Sequence, residues 1–178
     1  MRPDDLAGSV NSNDVPCCCS LQFLLRDGKL NLIAHMRSND LFTGFGYDVF
    51  FFTMLQELLA RELNVPLGWY QHFAGSFHLY EKDYPAAERI LTEDYKKIAM
   101  PPLTAPDEVD KVLHYEREIR ASTQADPLGA FDVATYWQPF LGTLLFHHFR
   151  KTKNKEGMST VLSRFEESWC HSLLAMLP

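Results

Sequence analysis

Three groups of residues in the first half of the chain carry side chains that could do chemistry. The first is Cys17, which follows Pro16 directly before an apolar segment. A cysteine held at the start of a strand can act as a nucleophile when a cationic group stabilises its thiolate. The same residue would also fit as a small buried core residue. The residue type and its position therefore leave both interpretations open.

The second group is the tetrapeptide Arg37-Ser38-Asn39-Asp40 at the end of an apolar segment. A guanidinium next to a hydroxyl suits a phosphate monoester, because both groups donate hydrogen bonds to its oxygens. The alternative is a solvated loop with a local ion pair.

The third group lies in segment 69–80, whose residues alternate and predict one strand with two distinct faces. The odd positions are mostly apolar and are expected to pack: Trp69, Phe73, Phe77 and Leu79. The even positions are Tyr70, His72, Ala74, Ser76, His78 and Tyr80. Hydroxyls and imidazoles on that face could bind sugar hydroxyls, or they could belong to a satisfied, half-exposed sheet face.

The elements that must position these groups follow from turn signals and periodicity. Segment 21–37 predicts two strands around an Asp27-Gly28 turn. Segment 48–63 has no helix breaker and is apolar almost all round in its first half, which predicts a central buried helix. Another helix is expected near Pro85, with four residues facing inward: Ile90, Leu91, Tyr95 and Ile98.

Composition shifts predict three parts of the chain. Residues 1–15 are polar and predict a flexible arm, and the proline-rich segment 100–106 separates a core at 16–100 from an extension at 107–178. The extension is expected to be helical in three segments. The last segment has an apolar stripe at helical spacing, formed by Met158, Leu162, Phe165, Trp169 and Leu173.

Charge and cysteine usage narrow the possible partners. With 178 residues and a net charge of -6, the chain has no broad basic field, so we expect neither nucleic-acid nor anionic-membrane binding. Three adjacent cysteines at 17–19 and a distant Cys170 suit a reducing cytoplasm better than a disulfide framework or a zinc site. The His147-His148 pair lacks ligands at metal spacing, so no metal is expected.

Taken together, these motifs resemble the thymidylate synthase and deoxycytidylate hydroxymethylase superfamily. The matching pattern is Pro16-Cys17, Gln22-Phe23, Arg37-Ser38-Asn39-Asp40, Gly44, Asp48 and His78-Leu79-Tyr80, and it covers roughly residues 15–85. The resemblance implies an α/β (α+β) fold with a thymidylate-synthase-like sheet, a packed central helix and a C-terminal helical extension.

The resemblance also implies a reaction, the transfer of a one-carbon unit from 5,10-methylenetetrahydrofolate to carbon 5 of a pyrimidine nucleotide monophosphate. Cys17 would be the covalent catalyst at carbon 6. The residues expected to bind the substrate are Gln22, Arg37, Ser38, Asn39, Asp40, Asp48, His78 and Tyr80. The residues expected to bind the folate are Asp40 and Gly44.

The residue type at Asp48 indicates which base the substrate carries. Thymidylate synthases carry Asn at this position, which pairs with uracil, whereas the hydroxymethylase branch carries Asp. A carboxylate accepts from the amino group of cytosine, but it would oppose the O4 acceptor of uracil. The resemblance therefore favours a cytidylate, with a methyl or hydroxymethyl product. The alternative role of Asp48 is to cap the helix that follows it.

Only sixteen residues precede Cys17, whereas the family has a long segment there. Two hypotheses follow. The chain is an enzyme, expected to form a homodimer in the manner of the family, or it is a non-catalytic or half-site subunit that binds nucleotide or a partner chain.

Overall fold

The structure is a computed structural model that describes residues 15–92, 100–122 and 131–165. The chain forms two compact units, Met1–Tyr95 and Lys96–Pro178. Most of the predicted arm, residues 1–14, lies outside the described residues.

The first unit begins with a hairpin of β1 (Cys18–Arg26) and β2 (Lys29–Met36). The strands pair antiparallel up to Arg26 and Lys29. Asp27 and Gly28 have φ values of 50° and 70°. Two successive left-handed residues match the twist of a two-residue hairpin, and Asp-Gly adopts them at low cost. The predicted hairpin is confirmed.

A helix connects the hairpin to a third strand. Helix α1 (Phe45–Glu62) leads to β4 (Leu67–Ala74), which pairs parallel with β2, so β2 is the central strand of the order β1-β2-β4. Two short strands, β3 (Asn39–Asp40) and β5 (Phe77–His78), pair parallel beside them. The unit is a mixed α+β structure, which confirms the predicted fold class.

Helix α1 begins three residues before its predicted start, and one face packs on the sheet. Phe52, Gln56 and Ala60 are buried there. Gln56 Nε2 donates to the carbonyls of Leu30, at 2.8 Å, and Trp69, at 3.2 Å. The prediction of a helix buried all round is wrong for the opposite face, where Tyr47, Phe50 and Phe51 are exposed.

Strand β4 corrects the prediction for segment 69–80. The segment is two strands separated at Gly75-Ser76, and its packed face is the reverse of the one expected. Tyr70 packs against the core formed by Leu32, Ala34, Met36 and Phe52, whereas Trp69 and Phe73 are 48% and 47% exposed. Polar residues can occupy the inner face because they find hydrogen-bond partners there, described below.

Helix α2 (Tyr84–Thr92) occupies the position predicted near Pro85. Ile90 and Leu91 were expected to face inward, but they are 48% and 85% exposed. Tyr95 and Ile98, predicted on the same face, lie outside the described residues.

The described parts of the second unit contain three α-helices: α3 (Val109–Ala121), α4 (Gln138–Lys151) and α5 (Lys155–Arg164). Leu141, Leu145, Phe149 and Val161 are almost completely buried between them. Phe165 of the predicted stripe is buried, and Met158 and Leu162 are partly buried. The remainder of the stripe, Trp169 and Leu173, lies outside the described residues, as does Cys170.

Candidate active site

Arg37 holds the main chain that precedes β1. Its Nε donates to the carbonyl of Pro16 at 3.1 Å, and its Nη2 donates to that of Val15 at 2.8 Å. The amide of Arg37 also donates to the carbonyl of Cys17 at 2.9 Å. The guanidinium therefore fixes the backbone on which Cys17 is mounted. Since a guanidinium has five N–H donors, the exposed Arg37 keeps donors for a further ligand.

The adjacent thiols differ in their surroundings. Cys17, Cys18 and Cys19 are all free. Burial raises the pKa of Cys18, and the charges of Cys19 and Asp48 act in the same direction. Cys18 is therefore held in its thiol form at neutral pH, which makes it a poor nucleophile. Cys17 is half-buried against the core, and its Sγ lies 3.8 Å from the carbonyl oxygen of Val15.

A chain of hydrogen bonds ends on Asp48. The hydroxyl of Tyr70 is 2.7 Å from Nδ1 of His72, whose Nε2 is 2.8 Å from Oδ1 of Asn39. Asn39 Nδ2 donates to Asp48 Oδ2 at 2.7 Å. Asn39 is only 4% exposed, so these contacts satisfy a side chain that water does not reach. Tyr70 and His72 were not among the predicted site residues, although the alternation of the strand had placed both on the polar face.

Two pKa shifts describe the protonation of this chain. Burial raises the pKa of Tyr70 to about 12, and the nearby Asp48 and Cys18 add to the shift. Burial lowers the pKa of His72, while the charge of Asp48 opposes that change. At neutral pH the tyrosine therefore keeps its proton and the imidazole is uncharged.

Asp48 is not the cap of α1. It lies in the first turn of the helix, the capping position is Gly44, and the amide of Asp48 donates to the Gly44 carbonyl at 2.9 Å. The Asp48 side chain instead accepts from Asn39. The alternative that Asp48 serves only as a helix cap is therefore wrong.

The loop before α1 is built around Asp40. Its carboxylate accepts from the amides of Phe42 and Thr43, at 3.1 and 2.9 Å, and from the Thr43 hydroxyl. The hydrogen bond from the Thr43 side chain is the main cause that lowers the pKa of Asp40. A Cβ atom at Gly44 would lie 3.1 Å from Asn39 Nδ2, so glycine leaves room for that amide.

Pairing of β3 with β5 places His78 opposite Asp40. His78 Nδ1 lies 3.4 Å from Ser76 Oγ, and its ring meets that of Tyr80 edge-on at 4.9 Å. Tyr80 is half-exposed. His78 therefore lies next to the Asp40 loop, and the exposed part of Tyr80 is accessible to a ligand.

The structure brings most of the predicted site residues onto neighbouring elements, with Gln22 set apart. Gln22 is exposed and pairs in register with Ile33, which places it on the sheet face opposite α1. Ser38 is partly buried between Arg37 and Asn39.

Among the described residues, no group of three His, Cys, Asp or Glu could hold a metal ion. His147 of the pair considered above is exposed on α4, with its Nδ1 3.4 Å from Arg150 Nη2. No helix in the described part of the chain is long and apolar enough to cross a membrane.

Comparison with known proteins places the chain in a family. The family model "Thymidylate synthase" matches residues 7–121, which is more than half of the chain. The chain belongs to the thymidylate synthase family. The match extends into α3, beyond the part for which the sequence motifs indicated a relationship.

Two known proteins illustrate the similarity. The deoxyuridylate hydroxymethyltransferase of Bacillus phage SP01 is 40% identical over 89 residues, which are 49% of this chain and 22% of that protein. A crystal structure of thymidylate synthase from T4 phage matches 51% of this chain and 33% of its own, with 26% identity and a TM-score of 0.44. The chain thus spans about a fifth to a third of the length of these relatives.

Proposed function

We propose that the chain transfers a one-carbon unit from 5,10-methylenetetrahydrofolate to carbon 5 of a pyrimidine nucleotide monophosphate, with a cytidylate preferred. The observation that carries this proposal is the position of the Asp48 carboxylate. It accepts a hydrogen bond from Asn39, and it lies near enough to Cys18, the neighbour of Cys17, for its charge to raise the pKa of that thiol. Membership of the thymidylate synthase family supports the reaction class.

The covalent step belongs to Cys17. Carbon 5 of a pyrimidine is a weak nucleophile, and addition of the Cys17 thiolate to carbon 6 moves an electron pair into the ring and activates carbon 5. Carbon 5 then forms a new bond to the one-carbon unit of the folate and loses its proton to solvent. The bond between that unit and the folate nitrogen breaks, the nitrogen keeps the electron pair as tetrahydrofolate leaves, and water adds to the freed carbon. Elimination of the thiolate from carbon 6 restores the aromatic ring and frees Cys17.

The remaining residues bind and orient the substrate. The N–H donors of Arg37 that do not hold Val15 and Pro16, together with the Ser38 hydroxyl, bind the nucleotide phosphate. His78 and Tyr80 bind the sugar hydroxyls. Gln22 is assigned to the substrate by family resemblance alone.

The folate fits the loop before α1. Its role is to supply the one-carbon unit. The lowered pKa of Asp40 keeps that carboxylate ionised at neutral pH, and it can accept from the N–H groups of a pterin while it holds the turn through Thr43. Gly44 is assigned to the folate by family resemblance, and it adjoins Asp40 in the same loop.

Asp48 reads the base. A carboxylate whose Oδ2 accepts from Asn39 presents its other oxygen as an acceptor to the amino group of cytosine. Uracil would place its O4 acceptor against the same negative charge. Mismatched buried polar groups are costly, so the cytidylate is preferred.

The product is proposed to be the hydroxymethyl nucleotide. A relative from Bacillus phage SP01 is described as a hydroxymethyltransferase, which supports addition of water over reduction to a methyl group. Its name specifies deoxyuridylate, so uridylate is the base against which the preference is tested. The free thiols suit a reaction in the cytoplasm.

A second candidate is a half-site or non-catalytic subunit. Aromatic side chains are exposed on two surfaces of the first unit, Phe50 and Phe51 on α1 and Trp69 and Phe73 on the sheet. Surfaces of this kind favour association with another chain. The partner would be a second copy, as in a sheet-to-sheet homodimer, or a complementing subunit that binds the same nucleotide.

Tritium release separates the two candidates. The chain is incubated with dCMP, CMP or dUMP labelled at carbon 5, with and without methylenetetrahydrofolate. We expect folate-dependent release from a cytidylate that is lost in Cys17→Ala and retained in the matched control Cys18→Ala. Nucleotide binding without release would contradict stand-alone catalysis and favour the half-site subunit.

A further inference from the structure

Hydrogen bonds run from Tyr70 through His72 and Asn39 to Asp48, and in each of them one group donates and the other accepts. The order of donors and acceptors along this chain is its direction, and it bears on the base that the site accepts. We propose that His72, supported by Tyr70, is a positioning residue that fixes the amide of Asn39 so that Asp48 discriminates against uridylate. The inference rests on the proposed function and adds two residues to it, neither of which contacts the substrate.

Asn39 is the link through which the orientation is transmitted. Its amide has a donor end and an acceptor end that differ little in shape, so the neighbours decide which end faces Asp48. The acceptor Oδ1 lies 2.8 Å from Nε2 of His72, and the donor Nδ2 lies 2.7 Å from Asp48 Oδ2. An imidazole with its proton on Nε2 therefore directs the amide donor toward the carboxylate.

Tyr70 selects that tautomer. Its hydroxyl lies 2.7 Å from Nδ1 of His72. Because an uncharged ring must carry its proton on Nε2 to donate to Asn39 Oδ1, Nδ1 is left to accept from the Tyr70 hydroxyl, and that hydrogen bond stabilises the tautomer. Burial keeps both groups in the required form, because it lowers the pKa of His72 and raises the pKa of Tyr70 to about 12.

The imidazole is also fixed in place by aromatic rings of α1. The Phe45 ring meets it edge-on at 5.2 Å, and the Phe52 ring lies 6.3 Å away. Phe52 is buried and Asn39 is 4% exposed, so the imidazole is shielded from water both where it faces Phe52 and where it faces Asn39. The hydrogen bonds within the cluster therefore decide the orientation.

The opposite direction has a different consequence at Asp48. With the proton on Nδ1, His72 would donate to Tyr70 and accept from Asn39, whose Oδ1 would then face Asp48. That arrangement would set two acceptors, Asn39 Oδ1 and the Asp48 carboxylate, against each other, and it would displace the carboxylate from the position that Asn39 gives it. The observed direction holds Asp48 as an acceptor, which disfavours uracil.

The test compares binding of dCMP and dUMP to the full-length chain and its variants. His72→Phe keeps an aromatic ring between Phe45 and Phe52 but removes both hydrogen bonds. We expect the ratio of the two dissociation constants, which favours dCMP in the wild type, to fall about tenfold, the effect of one hydrogen bond to a charged group. His72→Gln retains a donor for Asn39, and we expect it to restore most of the preference.

A spectroscopic measurement tests the direction without a ligand. In ¹⁵N NMR spectra of the wild type at neutral pH, we expect His72 to be the uncharged tautomer protonated on Nε2. In Tyr70→Phe the selection is lost, so we expect a mixture of tautomers and a reduced preference for dCMP. These results support the proposal even if His72→Phe fails to fold.

Failure of the inference differs from failure of the proposed function. A chain that binds dUMP as well as dCMP, or neither, overturns the base reading and this inference with it. A preference for dCMP that is unchanged in both His72→Phe and Tyr70→Phe overturns only the inference. A charged His72, or one protonated on Nδ1, also overturns the inference alone.

Discussion

Among the three adjacent cysteines, the difference that matters at the residue scale is the environment of each sulfur. Cys19 is exposed, Cys17 is half-buried at the start of the sheet, and burial raises the pKa of Cys18. Three residues of the same type can therefore have separate roles because the backbone turns each side chain into a different environment.

Alkylation measures this difference. A raised pKa lowers the thiolate fraction at neutral pH, and the thiolate is the reacting form, so Cys18 is expected to react with iodoacetamide after Cys17 and Cys19. Its rate should continue to rise with pH above the range in which an ordinary cysteine has levelled off. Mass spectrometry of the peptide measures each site, and Cys18 reacting first at neutral pH would contradict the assignment.

At the element scale, the site depends on how α1 is joined to the sheet. Gln56 is buried and donates to carbonyls on both β2 and β4, so one side chain links the helix to two strands. Because Asp48 and Asn39 lie on the helix and on the strand pair beside it, this contact also helps to set the distance between them.

Gln56→Met keeps the volume of the side chain and removes the donors. We expect the free energy of unfolding to fall by about 1–3 kcal/mol, the typical cost of leaving buried carbonyls without partners. The matched control is Gln71→Met, since Gln71 is exposed on the sheet, and it should change stability by less than about 0.5 kcal/mol. Urea denaturation measures both, and equal effects would contradict the role of Gln56.

The elements also show what the sequence could predict. The Asp27-Gly28 hairpin was predictable because adjacent residues determine it. The inner face of β4 was not, since His72 is satisfied by Asn39, 33 residues earlier, and periodicity does not reveal such a partner. Periodicity predicts that the apolar residues form the packed face of the strand, whereas Trp69 and Phe73 are exposed on its outer face.

At the scale of the whole molecule, the family's motifs are concentrated in the first unit. The proposed substrate-binding residues and Cys17 lie on the hairpin, α1, β3 to β5 and the residues directly flanking them, and the family match continues as far as residue 121. The sequence indicates these roles through its resemblance to the family, whereas the proposed positioning role of Tyr70 and His72 follows from their hydrogen bonds to each other and to Asn39. Because the net charge is -6, the proposed binding of an anionic nucleotide depends on local cations such as Arg37.

The most direct test of the account is tritium release from dCMP and dUMP, labelled at carbon 5 and supplied together with methylenetetrahydrofolate, by the wild type and by Asp48→Asn. An amide donates to uracil O4 and accepts from N3–H, so the variant should shift from the cytidylate toward the uridylate. The account predicts preferential release from dCMP by the wild type and a reversed or equalised preference in the variant. Release from neither nucleotide, or the same preference in both proteins, would contradict it.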